Sequence, residues 1–524
     1  MTTITPFAAG AYLTTRNASN LTALKNQLND LSNQVSSGKV ATTYGGLGAG
    51  RSTALNAQAM LSALTGYASG IGAAQTRTDL AVTSLTQVAT LGTTARDTLN
   101  NGLQSAAATT VSGRATAMAD LQTALDTLNQ SAAGNYLFGG GNATTPPVAD
   151  VGLIINGTTN QDGSKKLGLQ GYIAEQVKAD LGSGMGRLGV TQPTSNAVTV
   201  SEPNDATRGT FGFTLSGATS STPSVPTAIA ATSVAGTTST QGQVSFTVNS
   251  QPAVGDSITV TLQMNDKDKT TTTLTLTAVS GTSDPSVTGT GATFAIGADK
   301  DATADNLNTA LKGVLSMAAQ TTLTASSTAT AAENFFSGSA SAGVYPLHID
   351  TSSGLPAYVA GTKDNTVLWY QGEDSQTPAI DTQSVQISAG ASIGTGARAN
   401  DGSIQKVLAG LATMAYALPA TTAGDVNTAY QAVVDRAGGL LTSAYTSPSV
   451  QDTVTQLSLA SARLKNASST NAATQNTVQN TLDGIEQAPT EEVVAKLLDV
   501  QNRLQASYQI TATLSKLSLV NYIS

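Results

Sequence analysis

The 524-residue chain has no cysteine, one histidine and one tryptophan. Without cysteine there can be no disulfide, thiolate metal site or cysteine nucleophile. A serine–histidine–acid site could be built only around His348. Charged residues are also scarce, at 11% against about 25% in an ordinary globular domain, and aromatic residues make up 4%. These shortages argue against most classes of enzyme, and we expect no catalytic, cofactor-binding or metal-binding residues.

The charge balance and the apolar runs exclude two further classes of partner. Acidic residues outnumber basic ones by 33 to 25, which gives a net charge of −8. Nucleic-acid-binding proteins usually carry a basic face, so no nucleic-acid partner is expected. No apolar run reaches the roughly 18 residues of a membrane span, so no membrane insertion is expected. The first ten residues lack the basic and apolar regions of a secretory signal peptide, which predicts retention in the cell or export by another route.

The N-terminal part of the sequence has helical periodicity. Apolar residues recur there at spacings of three and four, the pattern of a coiled-coil seam: Leu21, Leu24, Leu28, Leu31 and Val35. This helix should end near Gly38. A second long helix is predicted from Ser52 to Leu103 and a third from Arg114 to Gln130.

The same periodicity returns after Ala399. Helices are predicted from Ile404 to Ala417, from an N-cap at Asp425 to Thr446, and from Ser449 to a break at Gly484. Thr490 is predicted to cap the last helix. Its apolar seam consists of Val493, Leu497, Val500, Leu504, Tyr508, Leu514 and Leu517.

The centre of the chain instead shows period-two alternation, as in Val244–Val248 and Ser257–Leu262, with threonine on the outer face. This alternation predicts half-buried antiparallel strands, with Asn265–Lys269 as a hairpin tip. One helix is predicted near Ala302–Ala318, and a boundary between two β-rich segments near Pro223–Pro226.

The predicted fold class is therefore α+β: a long antiparallel helical bundle or coiled coil formed by both chain ends, with inserted β-rich outer domains. The N-terminal half of this organisation is a coiled-coil helix (1–45) and a set of bundle helices (46–150). A β-rich outer segment (151–222), an inserted β-rich domain with one helix (223–345) and returning strands (346–400) follow. The chain then ends with C-terminal bundle helices (401–486) and a C-terminal coiled-coil helix (487–524).

Four motifs invite a functional interpretation, and for each a structural interpretation is stronger. The glycine-rich run 45–52 nearly matches a phosphate-binding loop but has arginine in place of lysine and follows a helical segment, which favours a helix–helix loop. His348 has no second histidine with which to share a metal. Asp266 and Asp268 lack the glycine and closing glutamate of a calcium loop, which favours a solvated hairpin tip. Trp369 lies beside acidic residues, as in some carbohydrate sites, but core packing is favoured.

The ends of the chain resemble the bacterial flagellin superfamily, over roughly 1–150 and 365–524. The resemblance rests on the helix end Leu28–Lys39, on the turn Asn135–Gly140 (NYLFGG), and on the final helix with Leu504–Tyr508 and Leu517–Tyr522. Two departures are the glycine run at 45–50 in place of a polar loop and an insert larger than a minimal member needs.

This resemblance implies a structural subunit of the extracellular bacterial flagellum, exported unfolded without a cleaved signal peptide through a type III channel, with a chaperone. Its partners would be copies of itself and other flagellar axial proteins, because the terminal helices of the family fold when neighbours cover their apolar stripes. The expected assembly-interface residues are Leu21, Leu24, Leu28, Leu31, Val35, Leu497, Val500, Leu504, Leu514 and Leu517.

The sequence leaves the exact role open. The Leu-Ser-Leu-Val-Asn-Tyr ending favours a hook–filament junction protein over filament flagellin, while the large insert keeps flagellin in consideration. A surface adhesin that uses the β-rich insert and Trp369 is a remote alternative. A hydrolase acting through His348 is weaker still.

Overall fold

The structure is a computed structural model that describes residues 6–104, 106–221, 227–237, 240–281, 286–419 and 425–523. Long helices and separate sheets are both present, so the predicted α+β class is confirmed. The helices of the described residues are α1 (Pro6–Ser37), α2 (Arg51–Gly102), α3 (Ala106–Thr127), α4 (Val151–Asn156), α5 (Leu169–Leu181), α6 (Lys300–Ala318), α7 (Thr324–Phe336), α8 (Gly402–Ala417), α9 (Val426–Ser443), α10 (Val450–Glu486) and α11 (Thr490–Ile523).

Two larger sheets and several two-stranded ones complete the described secondary structure. The strands are β1 (Ser131–Ala132), β2 (Asn135–Tyr136), β3 (Thr158–Thr159), β4 (Lys165–Lys166), β5 (Gly189–Thr194), β6 (Ala197–Ser201), β7 (Phe213–Ser221), β8 (Ile229–Val234), β9 (Gln243–Val248), β10 (Ser257–Met264), β11 (Thr271–Val279), β12 (Val287–Thr288), β13 (Gly291–Ala295), β14 (Leu347–Asp350), β15 (Ala357–Ala360), β16 (Ser384–Ser388) and β17 (Ala391–Gly394). One sheet has the order β12-β13-β11-β10-β7 and the other β5-β6-β9-β8.

The described residues form two compact units. We call the first the terminal unit; it comprises Met1–Gly72, Gln386–Ala391 and Leu464–Ser524. The second, the central unit, comprises Ala73–Val385 and Ser392–Arg463. Both α2 and α10 therefore contribute residues to each unit.

The central unit has two hydrophobic cores. In its helical core, α2, α3, α8 and α9 pack around large side chains that include Trp369 and Tyr370, both completely buried. In its sheet core, the two larger sheets and α6 enclose the alternate apolar residues of strands such as β10, whose other residues are threonine, serine and glutamine. This alternation follows from the two-residue period of a strand.

The segment that carries the sheet core leaves and rejoins the helices at one place. Gly186 has a positive φ of 60°, and a Cβ atom built there would lie 3.0 Å from the side chain of Leu323 and even closer to that of Phe213. Only glycine permits this close approach. Gly186 and Leu323, which lie at the two ends of the segment, are thus neighbours.

Aspartate side chains begin three of the central helices, which explains where these helices start. Asp299, Asp401 and Asp425 each accept a hydrogen bond from a backbone amide of the first turn. Such caps satisfy amides that have no partner within the helix. The predicted N-cap at Asp425 is confirmed.

Several predictions of secondary structure need correction. The helix expected to end at Ala318 continues through a π-helical turn, Ala319–Leu323, into α7. Helix α5 lies where a β-rich segment was predicted. Helix α10 passes through Gly484 and ends at Glu486. Strand β13 pairs with β11 in parallel rather than antiparallel orientation. The predicted boundary near Pro223–Pro226 lies outside the described residues.

Candidate assembly interface

The seam residues of α1 and α11 meet in one small apolar cluster of the terminal unit. Its buried members are Leu31, Ala488, Val493 and Val500. Partly buried side chains pack around them: Leu24, Leu28, Val40 and Leu497. These positions recur at the spacing predicted from the sequence because residues three and four apart share one face of a helix.

At one end of the cluster, α1 ends and α11 begins. There residues 38–40 and 486–488 form a short connection that we call the joint. The amide of Val40 donates to the carbonyl of Glu486 at 2.7 Å, and the amide of Ala488 donates to the carbonyl of Gly38 at 2.9 Å. Lys39 Nζ lies 3.4 Å from Glu486 Oε2 on the exposed side. These bonds hold the end of α1 beside the start of α11.

The structure brings together five of the predicted interface residues, namely Leu24, Leu28, Leu31, Leu497 and Val500. The others are distributed differently: Leu21 and Leu504 are half-buried and Val35 is 38% exposed. The side chains of Leu514 and Leu517 lie outside the described residues. Tyr508, which the sequence places in the seam of the last helix, is 44% exposed.

Other apolar side chains on the same two helices are exposed to solvent. The largest exposed fractions belong to Tyr12 (66%), Ile510 (59%) and Leu498 (53%), and Val494 is also exposed. Single exposed apolar residues are ordinary on a protein surface, whereas large contiguous apolar patches indicate interaction sites. The sequence pattern placed none of these residues in the seam and gave them no role.

Four of the charged residues of α11 form two ion pairs along the helix. Lys496 lies 2.7 Å from Glu492, and Arg503 lies 2.9 Å from Asp499, both at the i,i+4 spacing. The hydrogen bond from Lys496 and its positive charge lower the pKa of the Glu492 carboxyl below its ordinary value. Both pairs are exposed to solvent and contribute little stability.

The glycine-rich run is a 3₁₀ segment, Tyr44–Gly50, that connects α1 to α2. A Cβ atom built on Gly50 would lie 2.9 Å from the side chain of Ile485, so this end of the loop packs tightly on α10. A phosphate-binding loop follows a strand, whereas this segment follows a helix. Its geometry agrees with the favoured interpretation as a helix–helix loop.

His348 lies in a buried polar cluster of the central unit that the sequence did not reveal. Its Nε2 atom is 2.8 Å from the Tyr172 hydroxyl and 2.9 Å from the Thr366 hydroxyl. Its Nδ1 atom is 3.2 Å from Glu175 Oε2. Tyr172 and Glu175 come from α5, and His348 comes from β14. The cluster therefore attaches the β14–β15 hairpin to α5.

This carboxylate–imidazole–hydroxyl arrangement has the residue types of an acyl-transfer site but not its accessibility. His348 is 6% exposed and Thr366 is fully buried, so a substrate carbonyl could not reach the hydroxyl in this conformation. Burial raises the pKa of the Tyr172 hydroxyl well above its ordinary value, which keeps it protonated as a hydrogen-bond donor. These hydrogen bonds hold the β14–β15 hairpin against α5.

The interpretation of Asp266 as a solvated hairpin tip is wrong, although the hairpin itself is present between β10 and β11. Asp266 Oδ2 lies 2.8 Å from Arg436 Nη1 on α9, and both side chains are largely buried. Burial alone would raise the pKa of Asp266, but hydrogen bonds from Thr270, the charge of Arg436 and a bond from Ser326 lower it. This ion pair attaches the sheet core to the helical core.

The only tryptophan of the chain is a core residue, as favoured from the sequence. Trp369 is completely buried, its indole N–H donates to the carbonyl of Phe336 at 2.8 Å, and its ring meets that of Phe336 edge-on. The surrounding residues form isolated bridges, Thr366 with Leu167 and Tyr370 with Val148, and not the regular strand that was expected.

Membrane-spanning helices and metal-binding clusters are both absent from the described residues. In the part of the chain that the structure describes, no helix combines the length and apolar character of a membrane span. Among the same residues, no group of three or more histidine, aspartate or glutamate side chains is arranged to hold a metal ion.

Comparison with known proteins adds no relative. No protein-family model matches the chain, and no curated protein matches it.

Proposed function

We propose that this chain is a non-enzymatic structural subunit of the extracellular bacterial flagellum, of the flagellin type, that assembles helically through α1 and α11. Within this proposal we favour the role of hook–filament junction protein, because of the sequence with which the last helix ends. Filament flagellin is the alternative. The proposal includes the finer arrangement expected from the sequence, an antiparallel coiled coil of the two chain ends.

The observation that carries the proposal is the imbalance on α1 and α11. The two helices have 32 and 34 residues, yet their shared cluster has only four buried members among the described side chains. Leu498 and Ile510 remain more than half exposed on the same elements. Burial of each such side chain by a neighbouring subunit would contribute about 1.5–3 kcal/mol, which favours association.

This imbalance also supports folding coupled to assembly. Isolated helices are marginal in water, and most helical stability comes from packing of an apolar face. A terminal unit with little core of its own would be stabilised by the neighbours that it contacts. Part of the contact energy is then spent on ordering, which keeps the free subunit soluble until it docks. An open helical assembly follows when the contacts are heterologous.

The test uses the full chain, electron microscopy after addition of salt or short seeds, and two matched variants. Leu498 on α11 and Leu459 on α10 are both 53% exposed, but only Leu498 belongs to the proposed interface. We expect Leu498→Asp to abolish assembly and Leu459→Asp to retain it, with urea unfolding of both monomers unchanged. Equal loss of assembly in the two variants would contradict a contact specific to the terminal helices.

The form of the assembly decides between the two roles. Long filaments from this chain alone favour flagellin, and the large sheet core is compatible with that role. Short rings or monomers that add only to the end of another axial protein favour the junction role. Terminal helices that are fully protected from hydrogen exchange in the isolated monomer would contradict assembly-coupled folding.

A further inference from the structure

Several exposed apolar side chains lie on and beside the β14–β15 hairpin of the central unit. No charged residue lies between Asp350 and Lys363, a stretch that includes the whole of β15. The hairpin therefore presents an uncharged, largely apolar surface to solvent. Its large exposed side chains, each more than a third exposed, are Val344, Leu347, Leu355, Tyr358 and Val359.

One edge of the hairpin, that of β14, is closed by side chains of the central unit. The amide of Leu347 donates to Asn334 Oδ1 at 3.0 Å, and the carbonyl of Leu347 accepts from Asn334 Nδ2 at 2.8 Å. The amide of Ile349 donates to Glu175 Oε2 at 3.3 Å. The main-chain groups of Leu347 and Ile349 therefore point away from β15, and no further strand can pair with this edge.

The opposite edge, that of β15, is open. Residues that face each other in an antiparallel pair direct their main-chain groups either both toward each other or both away. Tyr358 is opposite Ile349, and Ala360 is opposite Leu347, so the N–H and C=O groups of Tyr358 and Ala360 point away from β14. Within the described part of the chain, no residue forms a hydrogen bond with these four groups. An unpaired edge of this kind is a template for another strand.

Two neighbouring residues limit how a strand can pair with the open edge. Pro356, two positions before Tyr358, has no N–H. The amide of Thr362, two positions after Ala360, already donates to Asn365 Oδ1 at 2.7 Å. Only Tyr358 and Ala360 can therefore both donate and accept. A strand limited to two alternate residues in the same way would pair all its free groups here, and β15 of another molecule is such a strand.

We propose that β15 pairs with β15 of a second copy of this chain, antiparallel and about a two-fold axis at Val359. Tyr358 of each copy then lies opposite Ala360 of the other, so a large side chain meets a small one, and four backbone hydrogen bonds form. The uncharged stretch 351–362 avoids repulsion between identical strands. The edge is thus self-complementary, as a two-fold contact requires.

This pairing does not depend on the flagellar function. Neighbours in an open helical assembly meet through heterologous contacts, whereas a two-fold contact closes on itself. Pairing through β15 would therefore join free chains, or chains of two separate assemblies. Leu498→Asp, which removes the proposed helical contact, should leave the pairing unchanged.

The absence of cysteine allows a disulfide to test the pairing in the full chain. The two Val359 residues would face each other with Cα atoms about 4.5 Å apart, a separation that a disulfide can bridge. Under mild oxidation we expect Val359→Cys to form a cross-linked dimer about tenfold faster than Val344→Cys, because pairing raises the effective concentration of the thiols. Val344 is the matched control, since it is 48% exposed against 39% for Val359 but lies outside β15. Alkylation by a small reagent measures the accessibility of both thiols.

A proline on the open edge should prevent the pairing. Ala360→Pro removes an outward N–H without removing a bond within the hairpin, and an edge strand accepts proline. We expect it to abolish the cross-link of Val359→Cys and to leave the urea unfolding midpoint, followed by Trp369 fluorescence, unchanged. Ala360→Lys repeats the test if proline disturbs the hairpin, because lysine on an edge strand opposes pairing.

Three results would overturn the proposal. The first is a Val359→Cys thiol that is alkylated readily but forms no dimer. The second is a cross-link that persists in both Ala360 variants. The third is formation of mixed dimers between Val359→Cys and Val344→Cys as fast as symmetric ones, which would indicate an edge that accepts any apolar segment.

Discussion

The two units differ in how much of their apolar surface they bury themselves. In the described part of the terminal unit, the two clusters contain four and three buried residues, although the helices that form them are long. In the central unit, shorter helices and strands surround two cores that include many completely buried aromatic and leucine side chains. Helix length therefore says little about stability; the number of faces that are covered decides it.

The two units also differ in whether the polar groups that connect their elements are buried. The central unit fastens its parts with buried groups, such as Asp180, which accepts bonds from the Gly212 amide at 2.9 Å and the Ser327 hydroxyl at 2.7 Å. Burial raises the pKa of Asp180 above its ordinary value. The joint of the terminal unit relies instead on two backbone hydrogen bonds and the exposed Lys39–Glu486 pair. Local opening should therefore begin in the terminal unit.

A matched pair of leucine substitutions should give the largest difference between the units. Leu408 is completely buried in the helical core, whereas Leu497 is only half-buried on α11. We expect Leu408→Ala to lower the free energy of unfolding by about 4 kcal/mol and Leu497→Ala by less than about 1 kcal/mol. Urea unfolding followed by the fluorescence of Trp369, the only tryptophan, measures the central unit directly. Comparable losses from both substitutions would remove the distinction between the units.

The second effect concerns the buried ion pair between the sheet core and the helical core. Arg436→Leu leaves the Asp266 carboxylate largely buried without its partner, and we expect a loss of about 3 kcal/mol. The control is Lys300→Met, which removes an exposed pair with Asp301 and should leave the free energy of unfolding nearly unchanged. Both are measured by urea unfolding at neutral pH. If the two variants unfold alike, the buried pair does not fasten the cores.

The same ion pair predicts a dependence on pH. Since the folded pKa of Asp266 is below its ordinary value, its stabilising contribution is present above the unfolded pKa, about 4. That contribution is lost as the pH falls through the lower folded pKa. Asp266→Asn should therefore lose stability less steeply than the unchanged chain below about pH 4. Parallel pH profiles of unfolding would contradict this assignment.

The smallest effect is expected at the joint of the terminal unit. Lys39→Met removes a pair whose lysine side chain is 56% exposed, and we expect a change below about 0.5 kcal/mol. Hydrogen exchange of the Val40 and Ala488 amides, whose backbone bonds remain, should be nearly unchanged. Strong loss of protection along α1 and α11 would show that the exposed pair is essential to the joint.

The sequence predicted best those elements whose apolar residues repeat regularly. In α2 the residues that recur at spacings of three and four are all buried: Ile71, Ala74, Thr78, Ala81, Leu85 and Val88. The alternating runs Val244–Val248 and Ser257–Leu262 likewise predicted β9 and β10. In α7, serine, threonine and alanine occupy most positions, including buried ones, so no apolar stripe marks the helix. Gly484 does not end α10, because a glycine in a helix lowers stability without preventing the helix.

The polar contacts could not be predicted, since each joins residues far apart in the chain. Arg436 and Asp266 are separated by 170 positions, and His348 and Tyr172 by 176. The spacing of Tyr172 and Glu175 on one face of α5 was the available signal, but it has meaning only once α5 is known to be helical. On α1 and α11 the sequence pattern predicted five residues that the structure brings together in one cluster, whereas Val35 and Tyr508 of the same predicted seam are exposed. The pattern gave no role to Leu498.

The close approach of Gly186 and Leu323 has a consequence for how such a chain can vary. A segment whose ends are neighbours can be shortened, lengthened or replaced by a short turn without displacing the elements that flank it. The sheet core is in this sense an exchangeable cassette. The Asp266–Arg436 ion pair and a hydrogen bond from the Gly289 amide to Asp425 attach it to the helices. A changed cassette on a constant helical frame would need replacements for these two attachments and for the bond from the Gly212 amide to Asp180.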